Sequence, residues 1–243
     1  MEKNRLKRKN SNFKNGLMDG LPIGLGYLPV AFAFGVQASI VGIPLFMSVF
    51  ISMTNLTSAG QLAGLTIIAS AGTILEIILT QLVINARYFL MSITLSQKLD
   101  DSFTLSHRFL CSAFVTDEIF AVASSKPKTF NRKYFYGLVV LPYVGWSLGT
   151  LLGAAAGNVL PETVTNALGI ALYAMFIAII TRPAIKDVGI LFAVLLGAII
   201  SSVLYFIPIF DFIPSGMKII LSAIIASALT ALVRPIKNEE EVS

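Results

Sequence analysis

The chain has 243 residues, of which 56% are hydrophobic and 13% charged, and its formal net charge is +5. An average soluble domain carries about 25% charged residues, so this composition excludes an ordinary soluble domain. A single cysteine, Cys111, and a single histidine, His107, exclude an internal disulfide and a closed zinc site.

Residues 1–20 form a polar arm that precedes the first apolar run. The arm carries Lys3, Arg5, Lys7, Arg8, Lys9 and Lys14. A basic cluster beside a membrane span is better explained by the positive-inside rule than by nucleic-acid binding. We therefore predict a cytoplasmic arm and no nucleic-acid partner, with Asp19 lying just before the membrane.

The first predicted span covers residues 21–41, which contain Pro22, Pro29 and several glycines. Such residues permit close packing against a neighbouring helix. They also permit an unwound section that lines a cavity. The sequence leaves both interpretations open.

The next apolar stretch, residues 44–71, has a polar middle with Asn55, Ser58, Gly60 and Gln61 among its residues. This pattern predicts a broken helix whose free backbone N–H groups bind a substrate carboxylate. A loop between two short helices and ordinary hydrogen bonding between helices are the alternatives.

Residues 72–96 form a span that carries Glu76, Asn85 and Arg87. An ionisable side chain at membrane depth costs at least ~2.5–3.5 kcal/mol, so each is a candidate functional residue. Glu76 and Arg87 are separated by ~16 Å along a helix and cannot pair directly. Solvation of Glu76 at the membrane surface and a structural ion pair for Arg87 are the alternatives.

Residues 108–123 form the fourth predicted span and contain Asp117 and Glu118. Adjacent helical residues point about 100° apart, so the two carboxylates do not form one pair. One can face Arg87 while the other faces a cavity and exchanges protons. A purely structural role for both is the alternative.

Four further runs complete the predicted membrane domain, and a charged tail follows at residues 235–243. The runs are residues 134–158, 163–181, 188–207 and 215–233. We predict an all-α integral membrane protein, a polytopic bundle of about eight spans over residues 21–234. Eight spans place both termini and the basic loop 126–133 inside, and loop 97–106 outside.

A faint internal repeat is also present. Leu28-Pro29 and Leu141-Pro142 each open a glycine-rich run that leads into a helix rich in small residues. With eight spans the two copies would run parallel, and repeats with a site at the membrane midplane are typical of transporters.

Several short motifs, in order along the first half of the chain, resemble the AzlC family, the large subunit of bacterial branched-chain amino-acid exporters. They are DGLP at 19–22, FG at 34–35, SAGQ at 58–61, NARYFLMS at 85–92 and TDEIFA at 116–121. The second half departs from the family, which usually has an acid near Gly169 and a proline near Tyr173.

The resemblance implies export of branched-chain amino acids across the bacterial cytoplasmic membrane, with a small AzlD-type membrane subunit as partner. We predict that the proton gradient drives this export, because a desolvated carboxyl group near an arginine suits a proton-coupled site. No cofactor and no enzymatic activity are expected. Candidate substrate and coupling residues are Asp117, Glu118, Arg87, Asn85, Asn55, Ser58, Gly60, Gln61, Glu76 and Asp19. The alternatives are a non-transporting scaffold subunit and a permease for another small amphipathic solute.

Overall fold

The computed structural model describes residues 12–127, 129–157 and 159–234. The predicted basic arm and the charged tail therefore lie largely outside the described residues. Ten α-helices and one 3-10 helix, Pro208–Phe210, form the described part of the chain. The helices are α1 Phe13–Ile40, α2 Leu45–Thr54, α3 Ser58–Ala69, α4 Ile74–Ser96, α5 Leu105–Ser112, α6 Asp117–Ser124, α7 Arg132–Ala156, α8 Glu162–Lys186, α9 Val188–Phe206 and α10 Ser215–Val233.

Six of the described helices are long and apolar enough to cross a membrane: α1, α4, α7, α8, α9 and α10. Large apolar side chains remain exposed along them, including Leu25, Ile170 and Leu232 at 64%, 71% and 78%. Apolar surface on this scale suits contact with lipid. The prediction of an all-α polytopic membrane protein is confirmed.

The described residues divide into two compact units. The first contains the chain up to Leu62 together with Asn85–Gly169, and the second contains Ala63–Ile84 together with Ile170 onward. The two ends of α4 belong to different units. The first unit holds most of the predicted site residues.

Close packing of α1 against α7 forms the core of the first unit. A Cβ atom at Gly16 would lie 2.0 Å from the Tyr134 carbonyl oxygen, and one at Gly153 would lie 2.0 Å from that of Phe32. Only glycine permits this approach of two backbones. Because contacts advance along both helices together, α1 and α7 run parallel.

Helix α1 is continuous through Pro22 and Pro29. The interpretation of this span as a close-packing helix is therefore correct, and the alternative of an unwound section is wrong. The helix begins at Phe13, so Asp19 lies in its second turn.

The predicted second span is broken into α2 and α3, as the polar residues indicate. Helix α2 ends at Thr54, and Asn55 has a non-helical backbone with φ −141° and ψ 87°. The Gln61 side-chain amide donates to Ser52 Oγ at 2.8 Å, so the chain reverses between α2 and the first turn of α3. The two helices form a re-entrant hairpin.

The predicted fourth span is wrong as a membrane crossing. It consists of α5 and α6, separated by residues 113–116. Helix α5 runs parallel to α7, since His107 contacts Tyr136 and Phe114 contacts Tyr143. The chain then reverses and runs back along α1.

The two ends of this second hairpin are joined by backbone hydrogen bonds. Phe130 N donates to Lys98 O at 3.1 Å, and Asp100 N donates to Phe130 O at 3.2 Å. The Lys98 ammonium also donates to the Ser124 and Lys126 carbonyl oxygens. Residues 97–106 therefore lie at the same end of the first unit as the basic loop, and the prediction that these two loops lie on opposite sides of the membrane is wrong.

The two hairpins enter the first unit from opposite ends. The α2–α3 hairpin begins where α1 ends, and the α5–α6 hairpin begins and ends where α7 begins. Each hairpin is followed by a long helix, α4 or α7.

In the second unit, α9 and α10 form an antiparallel pair joined by the short 3-10 helix. A Cβ added at Gly189 would lie 3.8 Å from that of Arg234, and one at Gly197 would lie 3.7 Å from that of Ala226. The start of α10 contacts the turn between α3 and α4, where Ser215 Oγ lies 2.8 Å from Ser70 Oγ.

Candidate functional site

The tips of the two re-entrant hairpins each present the N-terminus of a short helix. Thr57 Oγ1 accepts a hydrogen bond from Gly60 N at the start of α3. Thr116 Oγ1 accepts one from Ile119 N at the start of α6. Threonine is a favoured N-cap because its hydroxyl binds one of the backbone N–H groups that a helix start leaves without an intrahelical acceptor.

A side chain on α4 joins the two tips. Arg87 Nη2 lies 2.9 Å from Asp117 Oδ2 at the first position of α6, and the two side chains are 46% and 40% exposed. Arg87 also donates to the Tyr88 hydroxyl at 3.1 Å, and that hydroxyl donates to Thr57 Oγ1 at 3.4 Å. A continuous polar chain thus connects the cap of α3 with the acidic start of α6.

Glu118 faces a different group from its neighbour Asp117. The Tyr27 hydroxyl of α1 donates to Glu118 Oε2 at 2.5 Å and lies 2.7 Å from Thr116 Oγ1. Glu118 itself is exposed, whereas Tyr27 is buried. The prediction that the two carboxylates diverge, with one directed at Arg87, agrees with this geometry.

Gln61 belongs to a buried polar network rather than to the open surface of the site. Its Oε1 accepts from Trp146 Nε1 at 3.0 Å, and its amide donates to Ser52 Oγ. Ser52 Oγ in turn lies 2.7 Å from Thr150 Oγ1. A buried network with satisfied polar groups rigidifies its surroundings, so Gln61 fixes the α2–α3 hairpin against α7.

Three of the remaining polar candidates lie at the tip of the α2–α3 hairpin, and the fourth lies just before Arg87 in the sequence. Asn55 and Ser58 are half-buried at the ends of α2 and α3, and Gly60 is buried in the first turn of α3. Asn85 is half-buried on α4, two residues before Arg87. These residues supply backbone and amide groups beside the polar chain.

Asp19 is not part of this cluster. It accepts hydrogen bonds from the Lys126 ammonium at 2.7 Å and the Tyr134 hydroxyl at 2.6 Å. Asp19 precedes Tyr27 by eight residues, ~12 Å along the axis of α1. Its ion pair holds the end of the α5–α6 hairpin against the start of α1 and α7.

Glu76 lies in the second unit and is buried, with 7% of its surface exposed. Its Oε1 accepts a hydrogen bond from the Thr73 hydroxyl at 3.1 Å. Glu76 is therefore enclosed by the protein and is not freely solvated.

Sequence reasoning did not single out Tyr27, Tyr88 or Thr116 as site residues, and it counted Thr57 only among the polar residues of the predicted broken helix. The two threonines could have been found, because a threonine immediately before a small or acidic residue at a helix start is a capping signal. The tyrosines carried no such signal, since an aromatic residue within an apolar run is more often part of the core.

The fold and the site together define a polytopic helical membrane protein with two opposed re-entrant hairpins around a charged centre. The AzlC protein family matches residues 22–160, which include both hairpin tips. The chain therefore belongs to the AzlC family.

Two relatives extend this result. The inner membrane protein YgaZ of Escherichia coli is 29% identical over 233 residues, which cover 93% of this chain and 91% of that protein. An uncharacterized membrane protein of Archaeoglobus fulgidus is 32% identical over 194 residues, which cover 79% of this chain and 84% of that protein. No solved structure matches the chain significantly. The family and these relatives favour a membrane-transport role.

Proposed function

We propose that this chain is the large permease subunit of a proton-coupled exporter of branched-chain amino acids, and not an enzyme. The observation that carries the proposal is the meeting of two opposed hairpin tips at the Arg87–Asp117 ion pair. Short helices that end within a membrane protein present free backbone groups to a substrate.

The zwitterion of an α-amino acid needs a donor set and an acceptor set once it leaves water. The Thr57-capped start of α3, with Ser58 and Gly60 in its first turn, offers backbone N–H groups to the carboxylate. The partial positive charge of a helix N-terminus favours an anion at this position.

In this proposal, Glu118 binds the substrate ammonium or carries the proton. Asp117 already has Arg87 as its counter-ion. Glu118 has no basic partner within ion-pair distance among the described residues, and it accepts a hydrogen bond from Tyr27. The neutral Tyr27 hydroxyl orients the Glu118 carboxylate without cancelling its charge. Arg87 positions the other carboxylate, Asp117.

The charge distribution supports a cytoplasmic location for the end of the first unit that carries Asp19. This end contains Lys14, Lys98, Lys126, Arg132 and Lys133, whereas no lysine or arginine occurs between Lys14 and Arg87. By the positive-inside rule, the α5–α6 hairpin then enters from the cytoplasm and the α2–α3 hairpin from outside. The six long helices would place both termini inside.

The proposal includes a small AzlD-type membrane subunit as partner. The test is efflux of labelled leucine and valine from preloaded cells that express this chain with and without that subunit. Efflux that requires both chains and collapses with a proton uncoupler would support the exporter. Unchanged efflux from cells with correctly inserted protein would contradict the substrate assignment.

One observation also favours a non-transporting scaffold. Arg87 and Asp117 neutralise each other, which is sufficient to fix a hairpin without any substrate. A scaffold would bring no efflux of its own, and it would tolerate exchange of the two charges.

A further inference from the structure

The second unit contains a cavity of about 450 Å³ at the turn between α3 and α4 and the start of α10. Ligand sites for small molecules span roughly 300–1,000 Å³. All of its lining residues belong to the second unit. It includes none of the Arg87–Asp117 cluster.

Glu76 lines this cavity, and one of its carboxylate oxygens has no hydrogen-bond partner among the described residues. Its Oε1 accepts from the Thr73 hydroxyl, but Oε2 is buried without a hydrogen-bond partner among the described residues. Leaving a buried acceptor unsatisfied is costly, most of all for a charged group. A donor supplied by a ligand would remove that cost.

Lys218, on the opposite helix, supplies the complementary charge. It is 8% exposed, and its closest carboxylate oxygen is Asp211 Oδ1 at 3.8 Å, beyond ordinary hydrogen-bond distance. The Asp211 side chain is 72% exposed. Among the described residues no ion pair joins Lys218 to Glu76, although both line the same cavity.

We propose that this cavity is a second binding site for a small zwitterionic amino acid. The ligand ammonium pairs with the Glu76 carboxylate, and the ligand carboxylate accepts from the Lys218 ammonium. Ser70 and Ser215, whose hydroxyls lie 2.8 Å apart, offer further polar contacts. Ile213 lines the cavity and accepts an aliphatic side chain, and the Tyr205 ring, whose centroid is 5.3 Å from Lys218 Nζ, forms the adjoining wall.

The choice of a zwitterion follows from the two opposite charges. A metal ion would be repelled by Lys218, and an inorganic anion would leave Glu76 Oε2 without a donor. The choice of an aliphatic amino acid rests on the proposed function. The existence of a second site is argued from the cavity and its two charged residues, and it does not require a substrate site at the hairpin tips.

The test is protection of engineered cysteines by leucine in membrane vesicles that contain the full-length chain. Cys111 is first replaced by alanine, and Ser215→Cys reports on the second cavity. Ser58→Cys reports on the hairpin site, and Ser106→Cys, at an exposed position, is the control. The rate of maleimide labelling is measured with leucine, with leucinamide, which lacks the carboxylate, and with 4-methylpentanoate, which lacks the ammonium.

We expect leucine to slow the labelling of Ser215→Cys, and both single-charge analogues to protect poorly. Lys218→Met or Glu76→Gln should raise the leucine concentration for half-protection by about tenfold or more, because one ligand charge then has no partner. Lys186→Met, at an exposed position, should leave it unchanged. Gel filtration of each variant verifies that it is folded.

Protection of Ser58→Cys without protection of Ser215→Cys would overturn the second site and leave the proposed function standing. Equal protection by leucine and leucinamide would also overturn it. If leucine protects neither position, the proposed substrate fails together with this inference.

Discussion

Arg87 on α4 and Asp117 at the start of α6 form an ion pair of 2.9 Å that joins a spanning helix to the tip of a re-entrant hairpin. Both residues are partly exposed, so the pair borders an open region. The same arginine connects through Tyr88 to Thr57 at the tip of the opposed hairpin. The two tips are thus linked through two neighbouring side chains of α4, Arg87 and Tyr88.

The exchange of these two charges separates a transport site from a scaffold. In the double variant Arg87→Asp with Asp117→Arg, the ion pair can re-form, and we expect a folded protein. Efflux should remain lost, because an arginine at the start of α6 then lies beside Glu118 and opposes the helix dipole. Recovery of full efflux would show that the pair only holds the hairpin.

Insertion of a methyl group between α1 and α7 should destabilise the first unit. A Cβ at Gly145 would lie 2.4 Å from the Gly24 carbonyl oxygen, and overpacking of this kind costs about 1–3 kcal/mol or more. Gly145→Ala should therefore lower the midpoint of thermal unfolding in detergent. Gly26→Ala is the matched control, since nothing lies within 4 Å of its added Cβ. Equal midpoints for the two variants would contradict the packing described.

The re-entrant course of α5–α6 predicts where its flanking loops can be labelled. With Cys111 replaced, Asp101→Cys and Ser125→Cys should both react with an impermeant maleimide from the same side of the membrane. Val159→Cys, beyond the end of α7, should react from the other side. A crossing of the membrane between residues 101 and 125 would place the first two positions on opposite sides.

Gln61 should be required for the rigidity of the first hairpin. Gln61→Leu leaves the Trp146 indole N–H without its acceptor, which costs about 1–3 kcal/mol. Because Trp146 is the only tryptophan in the chain, its fluorescence reports this change directly. We expect a shifted emission maximum and a lower unfolding midpoint. Gln97→Leu, at an exposed position, should change neither; a similar response from both would refute the role of the network.

Hydropathy and local chemistry were sufficient for much of this architecture. The six long helices follow from the length of their apolar runs, and the break after Thr54 follows from the polar residues between Asn55 and Gln61. The separation of the two carboxylates follows from helical geometry, and the pairing of Arg87 with Asp117 follows from the cost of an isolated charge in a membrane.

The course of α5–α6 could not be inferred in this way. Residues 108–123 are apolar over a length close to that of a short span, and nothing local distinguishes a crossing from a reversal. The reversal depends on long-range contacts, such as that of Phe114 with Tyr143 and the backbone bonds between Lys98 and Phe130. The hydrogen-bond partner of Glu118 could not be predicted from the sequence either, because Tyr27 is 91 residues away from it along the chain.

The central claim is that the charged centre between the hairpin tips moves an amino acid. The most direct measurement is leucine efflux from preloaded cells expressing Glu118→Gln, compared with Asp101→Asn at an exposed position. We expect Glu118→Gln to insert normally and to lose nearly all efflux, while Asp101→Asn keeps the wild-type rate. Wild-type efflux from Glu118→Gln, still collapsed by an uncoupler, would contradict the account.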